Sequence, residues 1–113
     1  MKEKKQTIYG PNSAYIPLLI EGGTQKLHDN GYRMKWYDRT LIITLAATNR
    51  TFRLTDDPKE DQRQTIVYKA TGGGKLKFDE TYYNLNNVLI PAGQFLPIGK
   101  YDFVFNDGFW EMI

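Results

Sequence analysis

The chain has 113 residues, with 15 Lys and Arg residues against 13 Asp and Glu residues, which is the size of one small domain of nearly balanced charge. It contains no Cys, so disulfides, thiolate metal sites and a cysteine nucleophile are excluded. Aromatic residues make up 14% of the chain, and their side chains fit the pleated surface of strands. The composition therefore predicts a single β-rich domain spanning residues 1–113.

The start of the chain is basic and polar. Residues 1–7 contain three Lys residues, and we expect them to form a flexible basic tail. No apolar segment follows these charges, so the sequence predicts no signal peptide. The longest apolar stretch, 41–47, is far shorter than the roughly 18 residues that a membrane span needs. Most of the net charge of +2 comes from the tail, so neither a membrane span nor a nucleic-acid partner is expected.

Short apolar segments separated by turn residues recur along the chain, a spacing typical of β-sandwiches and barrels. In chain order, the predicted strands cover 14–20, 32–37, 41–47, 51–55, 65–70, 75–79, 87–90, 100–105 and 109–113. We expect 41–47 to be a central strand covered on both faces, 71–74 to turn a hairpin, and 106–108 to turn a second one. The pattern predicts an all-β fold, specifically an antiparallel β-sandwich of about eight short strands.

The segment 56–64 is the one place where a helix could begin. Asp57, Pro58 and Glu60 stand at positions suited to capping a first helical turn. The segment has no apolar stripe, which favours a single helical turn or an ordered loop over a packed helix. Its carboxylates could gather around a calcium ion, but their spacing lacks the register of a calcium loop, so capping and solubility are the favoured interpretation.

Residue types that carry catalysis are sparse. His28 is the only His and Ser13 the only Ser, and neither stands in a catalytic motif. The glycines of 72–74 precede Lys75, but the other positions of a phosphate-binding loop are missing, which favours a flexible hairpin tip. Asp79 and Glu80 are neighbours in a strand and point to opposite faces. We therefore expect neither an enzyme nor a cofactor or metal site.

The aromatic residues divide into two groups. Trp36, Tyr101, Phe103 and Phe105 stand at alternate positions of predicted strands and are predicted to fill the core. A second group is predicted to supply interface or ligand contacts, and its members are Tyr37, Tyr82, Tyr83, Trp110, Met112 and Ile113. The apolar last strand must either complete its own sheet or pair with another chain. Exposed Tyr residues suit a protein interface, and Tyr82, Tyr83 and Trp110 could alternatively form a platform for carbohydrate.

The segment 87–105, with the sequence NVLIPAGQFLPIGKYDFVF, resembles the end of the N-terminal immunoglobulin-like domain in baseplate upper proteins of phages that infect Gram-positive bacteria. The Asp-Asn-Gly turn at 29–31 and the Arg-Leu-Thr segment at 53–55 are compatible with the middle of that domain. The chain departs from the family's pattern in ending after one domain, so we expect a separate adaptor or a fragment.

The resemblance implies an immunoglobulin-like β-sandwich with a structural, non-enzymatic role. Such a domain would be made in the host cytoplasm and would reside in the tail or baseplate of the virion. Its partners would be other tail proteins or a second copy of itself in a homo-oligomer. A small carbohydrate-binding module is the alternative.

Overall fold

A computed structural model describes residues 23–69 and 72–113. The predicted tail at 1–7 and the predicted strand at 14–20 lie outside the described residues. In the described part the fold is all-β, without a helix. Its strands are β1 (Gly23–His28), β2 (Tyr32–Arg33), β3 (Asp38–Thr44), β4 (Arg50–Arg53), β5 (Arg63–Tyr68), β6 (Leu76–Phe78), β7 (Tyr82–Tyr83), β8 (Leu89–Ile90), β9 (Gln94–Leu96), β10 (Gly99–Asn106) and β11 (Phe109–Met112).

The strands form two sheets. The larger has seven strands in the order β1-β3-β5-β10-β11-β7-β8, and the smaller has four in the order β2-β4-β6-β9. From β1 to β6 the chain enters the two sheets alternately, so that β1, β3 and β5 are neighbours in the larger sheet and β2, β4 and β6 in the smaller. Each of these neighbouring pairs is parallel.

The prediction of purely antiparallel sheets is therefore wrong, and both sheets are mixed. Two strands joined directly by a tight turn pair antiparallel, whereas strands that are separated by an excursion into the other sheet can return in the same direction. The antiparallel pairs lie mostly in the second half, between β5 and β10, β10 and β11, β7 and β8, and β6 and β9.

The central position of β3 is confirmed, because β3 lies between β1 and β5. Leu41 and Ile43 are fully buried, while Ile42 between them is only partly covered and Arg39 is exposed. Such alternation with period two places one face of the strand on the core. The expected cover on both faces is therefore not found.

The glycine-rich segment does not turn a hairpin. β5 belongs to the larger sheet and β6 to the smaller, so the connection between them crosses from one sheet to the other. On the way it packs against the turn after β3. A Cβ atom on Gly72 would lie 2.5 Å from the carbonyl oxygen of Ala46, and one on Gly74 would lie 2.6 Å from that of Thr48. These two glycines permit a close approach of backbones, so neither belongs to a flexible tip.

The predicted turn at 106–108 is confirmed. Asp107 and Gly108 have φ angles of 53° and 85°, as in the tight turns that match the twist of a hairpin. The turn joins β10 to β11 in antiparallel register, with Phe105 opposite Trp110. Because β11 is also bonded to β7, the last strand completes its own sheet and is not an edge.

The core consists of apolar side chains from both sheets. Phe78 of the smaller sheet stacks on Phe103 of the larger one, with ring centroids 5.0 Å apart, and the Tyr82 ring meets both edge-on. Phe103 is fully buried, as predicted, whereas Tyr101 and Phe105 are partly buried and pack against the core cluster. Aromatic contacts therefore link the two sheets.

The prediction that Trp36 is a core residue is wrong, since its side chain is 57% exposed. The expected strand 32–37 ends already at Arg33, and Trp36 lies in the turn that leads into β3. Met34 is the buried residue of this segment. The alternation that appeared to place Trp36 beside Met34 does not continue once the strand has ended.

Candidate binding surfaces

Two of the six predicted contact residues lie inside the protein. Tyr82 and Trp110 are each only 5% exposed. Trp110 packs edge-on against Phe105 with ring centroids 5.3 Å apart, and it is the β-ladder partner of Tyr82. The two rings stabilise the core, so Tyr82 and Trp110 are not accessible to a ligand in the way that the predicted platform of Tyr82, Tyr83 and Trp110 requires.

The other four lie closer to the surface. Tyr37 is half-buried beside Trp36, and Tyr83 is half-buried beside Phe109 with ring centroids 5.4 Å apart. Met112 is half-buried and packs against the core, while Ile113 is half exposed. The four residues are thus not brought together at one place.

An apolar surface lies where the larger sheet ends at β8. Tyr83 of β7 is the ladder partner of Leu89 in β8, and Phe109 of β11 leans on the Tyr83 ring from the other side. The connection between β7 and β8 adds Leu85 and Val88, which are 71% and 52% exposed. We call these five residues, Tyr83, Leu85, Val88, Leu89 and Phe109, the β7–β8 apolar face.

Apart from Tyr83, the residues of this face were missed in the sequence. The segment 87–90 is short and apolar, and the sequence predicts it only as one strand of the sandwich. In the structure its strand has a bonded neighbour on one side only, among the described residues. The missed signal was the Asn-rich turn between Tyr83 and Val88. The Asn84 side chain accepts hydrogen bonds from the amides of Asn86 and Val88, so β7 and β8 form a tight hairpin that projects from the sheet end.

A second surface is centred on Trp36. The connection between β4 and β5, which we expected to be a helical turn or an ordered loop, is a loop that passes beside the indole. The Gln62 side chain donates to the carbonyl oxygen of Trp36 at 2.8 Å and accepts from the amide of Lys59 at 3.0 Å. The Tyr37 ring packs edge-on against the indole, with ring centroids 5.3 Å apart. These contacts hold the Trp36 turn and the loop in one arrangement.

An ion-pair network lies at the carboxyl ends of β2, β4 and β6 in the smaller sheet. Arg53 and Asp79 form one pair, and the Glu80 carboxylate accepts a hydrogen bond from the amide of Leu54 at 3.0 Å and lies 3.8 Å from Arg33. Burial raises the pKa of the Glu80 carboxyl, and the positive charge of Arg33 offsets part of that rise. Only 19% of the Glu80 side chain is exposed, which agrees with burial as the main cause.

The wild type is expected to lose stability as the pH rises and Glu80 ionises, and Glu80→Gln is expected to abolish that pH dependence. A pKa raised above the ordinary 4.5 means that the folded chain holds this proton more tightly than the unfolded chain, so the stabilisation is complete at lower pH and is lost on ionisation. Gln keeps an acceptor for Leu54 and does not titrate. Urea unfolding measured between about pH 3.5 and pH 7 should show that the free energy of unfolding of the wild type falls relative to that of the variant as the pH rises. A difference that does not vary with pH would contradict this assignment.

The ionisable side chains that could take part in catalysis or metal binding are not clustered in the described part of the chain. His28 is exposed and contacts Asp29 at 3.1 Å and the Thr44 hydroxyl at 2.9 Å. Within 23–69 and 72–113, no three His, Asp or Glu side chains come close enough together to hold a metal ion. The same residues include no helix with the length and apolar character needed to cross a bilayer.

Comparison of the chain with protein-family models, with curated proteins and with solved structures finds no match.

Proposed function

We propose that this chain is a non-enzymatic structural module that acts through protein–protein contacts, and that the β7–β8 apolar face is its contact surface. The observation that carries the proposal is the exposure of Leu85, Val88, Leu89 and Phe109 around the end of one sheet. Among residues 23–69 and 72–113, no strand pairs with the outer edge of β8. An apolar patch beside such an edge favours association, because it offers area to bury and backbone groups for hydrogen bonding.

The resemblance of 87–105 to the baseplate upper proteins supports a specific setting, a phage tail or baseplate. In that setting the module would be an immunoglobulin-like sandwich whose partners are other tail proteins or further copies of itself. Part of the resembling segment is β8, which forms the rim of the apolar face. The two packed sheets are compatible with a sandwich, although their mixed strand directions differ from the purely antiparallel arrangement predicted from the sequence pattern.

Leu89→Glu is expected to abolish association without unfolding the protein. Leu89 is 45% exposed, so a carboxylate there costs little in the isolated chain but would be buried without a partner in an apolar interface. Sedimentation between about 10 µM and 1 mM should show concentration-dependent oligomers of the wild type and monomers of the variant. The melting temperatures should be equal at dilutions where both proteins are monomeric, and only that of the wild type should rise with concentration.

Phe95→Glu is the matched control, because Phe95 is an apolar residue of similar exposure, 52%, on β9 of the other sheet. It should leave association unchanged. Products of the neighbouring genes should be mixed with both variants and the wild type to test partners other than a second copy. A wild type that stays monomeric and binds none of these products would overturn the proposal.

A further inference from the structure

The surface around Trp36 continues into a long trough. A depression of about 580 Å³ is lined by Trp36 and the loop at 57–62, and a second one of about 400 Å³ is lined by Trp36, Tyr37 and Arg39 among others. The two share Trp36, Asp61 and Gln62 as lining residues. A third depression of about 290 Å³ shares Arg39 and Arg63 with the second and extends to Ile113. We call this series of depressions the Trp36 trough, and its form suits an extended ligand.

The trough is built around an exposed aromatic ring. Trp residues seldom leave more than half of their surface in water without a partner, because the indole is the largest apolar side chain. Here the Trp36 backbone is held by Gln62 and one edge of its ring is supported by Tyr37. The indole is therefore already ordered before a ligand covers it, so binding costs little conformational entropy of the Trp36 side chain.

Exposed charges of both signs line the trough. Asp57, Glu60, Asp61 and Lys59 line the first depression, and Arg39 and Arg63 line the second. The other two carboxylates of the lining, Asp38 and Asp102, already accept hydrogen bonds within the protein. An anionic polymer would meet the three carboxylates, and a basic peptide would meet the guanidinium groups. A neutral ligand that both donates and accepts hydrogen bonds suits this arrangement better than either of them.

Several of these polar groups have no partner within the described part of the chain. The side chains of Arg39, Asp61 and Arg63 make no hydrogen bond or ion pair with residues 23–69 or 72–113. By contrast, Glu60 is occupied, since it accepts from the amide of Asp107. The trough thus offers two groups of donors and one acceptor beside an exposed ring, the few polar groups on an aromatic surface that ligand sites use for orientation.

We propose that the Trp36 trough binds a neutral, linear oligosaccharide. A sugar ring would lie against the indole through its apolar C–H face, while its hydroxyls would donate to Asp61 and accept from Arg39 and Arg63. Successive rings would occupy the adjoining depressions that share Trp36. This site is separate in sequence from the β7–β8 apolar face, and it replaces the carbohydrate platform that the burial of Tyr82 and Trp110 excludes.

The test is calorimetric titration of the full chain with two neutral probes, cellohexaose and chitohexaose, alongside tryptophan fluorescence. Trp36 is exposed and Trp110 buried, so a blue shift on binding reports Trp36. Trp36→Ala should weaken binding by about tenfold or more, the loss typical of a central Trp contact, and Arg63→Ala should weaken it less. Both residues are exposed, so the melting temperature should not change.

Phe95→Ala, which removes an exposed aromatic ring elsewhere, is the matched control and should bind both probes as the wild type does. Absence of heat and of a fluorescence shift with both probes would overturn the proposal. It would also be overturned if acidic oligogalacturonate, a poly-dT strand or a Lys-rich peptide bound through Trp36 while the neutral probes did not. Equal binding by wild type and Trp36→Ala would place any sugar site elsewhere and reject the trough.

Discussion

Phe103→Ala is expected to lower the free energy of unfolding by about 3–5 kcal/mol, the usual cost of deleting a fully buried phenyl ring. Phe103 stands on β10 of the larger sheet and stacks on Phe78 of the smaller one, and Tyr82 closes the same cluster edge-on. Removing the ring leaves a cavity between two sheets that the remaining rings cannot fill without moving. Since small domains have about 5–15 kcal/mol in total, this loss is a large fraction of the stability of the protein.

Urea unfolding followed by circular dichroism measures this loss, and Phe95→Ala provides the same substitution at a position that is 52% exposed. The control should change stability by no more than about 0.5 kcal/mol. If the two variants lost similar amounts, the Phe78–Phe103 contact would not be what joins the sheets.

Gln64→Leu is expected to lower the free energy of unfolding by about 3 kcal/mol, although it replaces a polar side chain in the core by an apolar one of similar size. Gln64 is fully buried. Its side-chain oxygen accepts from the amide of Thr55 at 2.8 Å, and its nitrogen donates to the carbonyl oxygens of Lys35 and Asp38 at 2.9 Å each. The substitution leaves one buried amide and two carbonyls with fewer partners, and each such group costs about 1–3 kcal/mol.

Gln94→Leu is the control for this substitution, because Gln94 is exposed on β9. It should be close to neutral. Amide hydrogen exchange separates a lost hydrogen bond from a general loss of packing, since in Gln64→Leu the Thr55 amide should lose protection beyond the global change. Unchanged relative protection of Thr55 would mean that this bond contributes little.

The parts of the fold that could be predicted from sequence are those whose partners are close along the chain. The β10–β11 hairpin follows from the turn at 106–108 and from aromatic residues that alternate on both sides of it. The strand at β3 follows from its run of Leu and Ile residues. Both signals are local, and local periodicity is what a single sequence reports most directly.

The remaining features depend on where distant strands meet. A glycine-rich segment between two apolar strands is typical of a hairpin, and nothing in 71–74 indicates that β5 and β6 belong to different sheets. The same limit applies to the candidate sites. Trp110 and Tyr82 become buried because β11 and β7 are neighbours, and Trp36 is exposed because β2 ends at Arg33. Aromatic composition alone does not distinguish these outcomes.

The alternating path of the chain between the two sheets has a consequence for how the domain folds. Neighbours such as β3 and β5 are separated along the chain by β4, which belongs to the opposite sheet. Such non-local pairing requires loops to close before the contacts between strands form, which favours slow folding. We expect the two layers to form together, so that partial unfolding of one layer releases strands of the other.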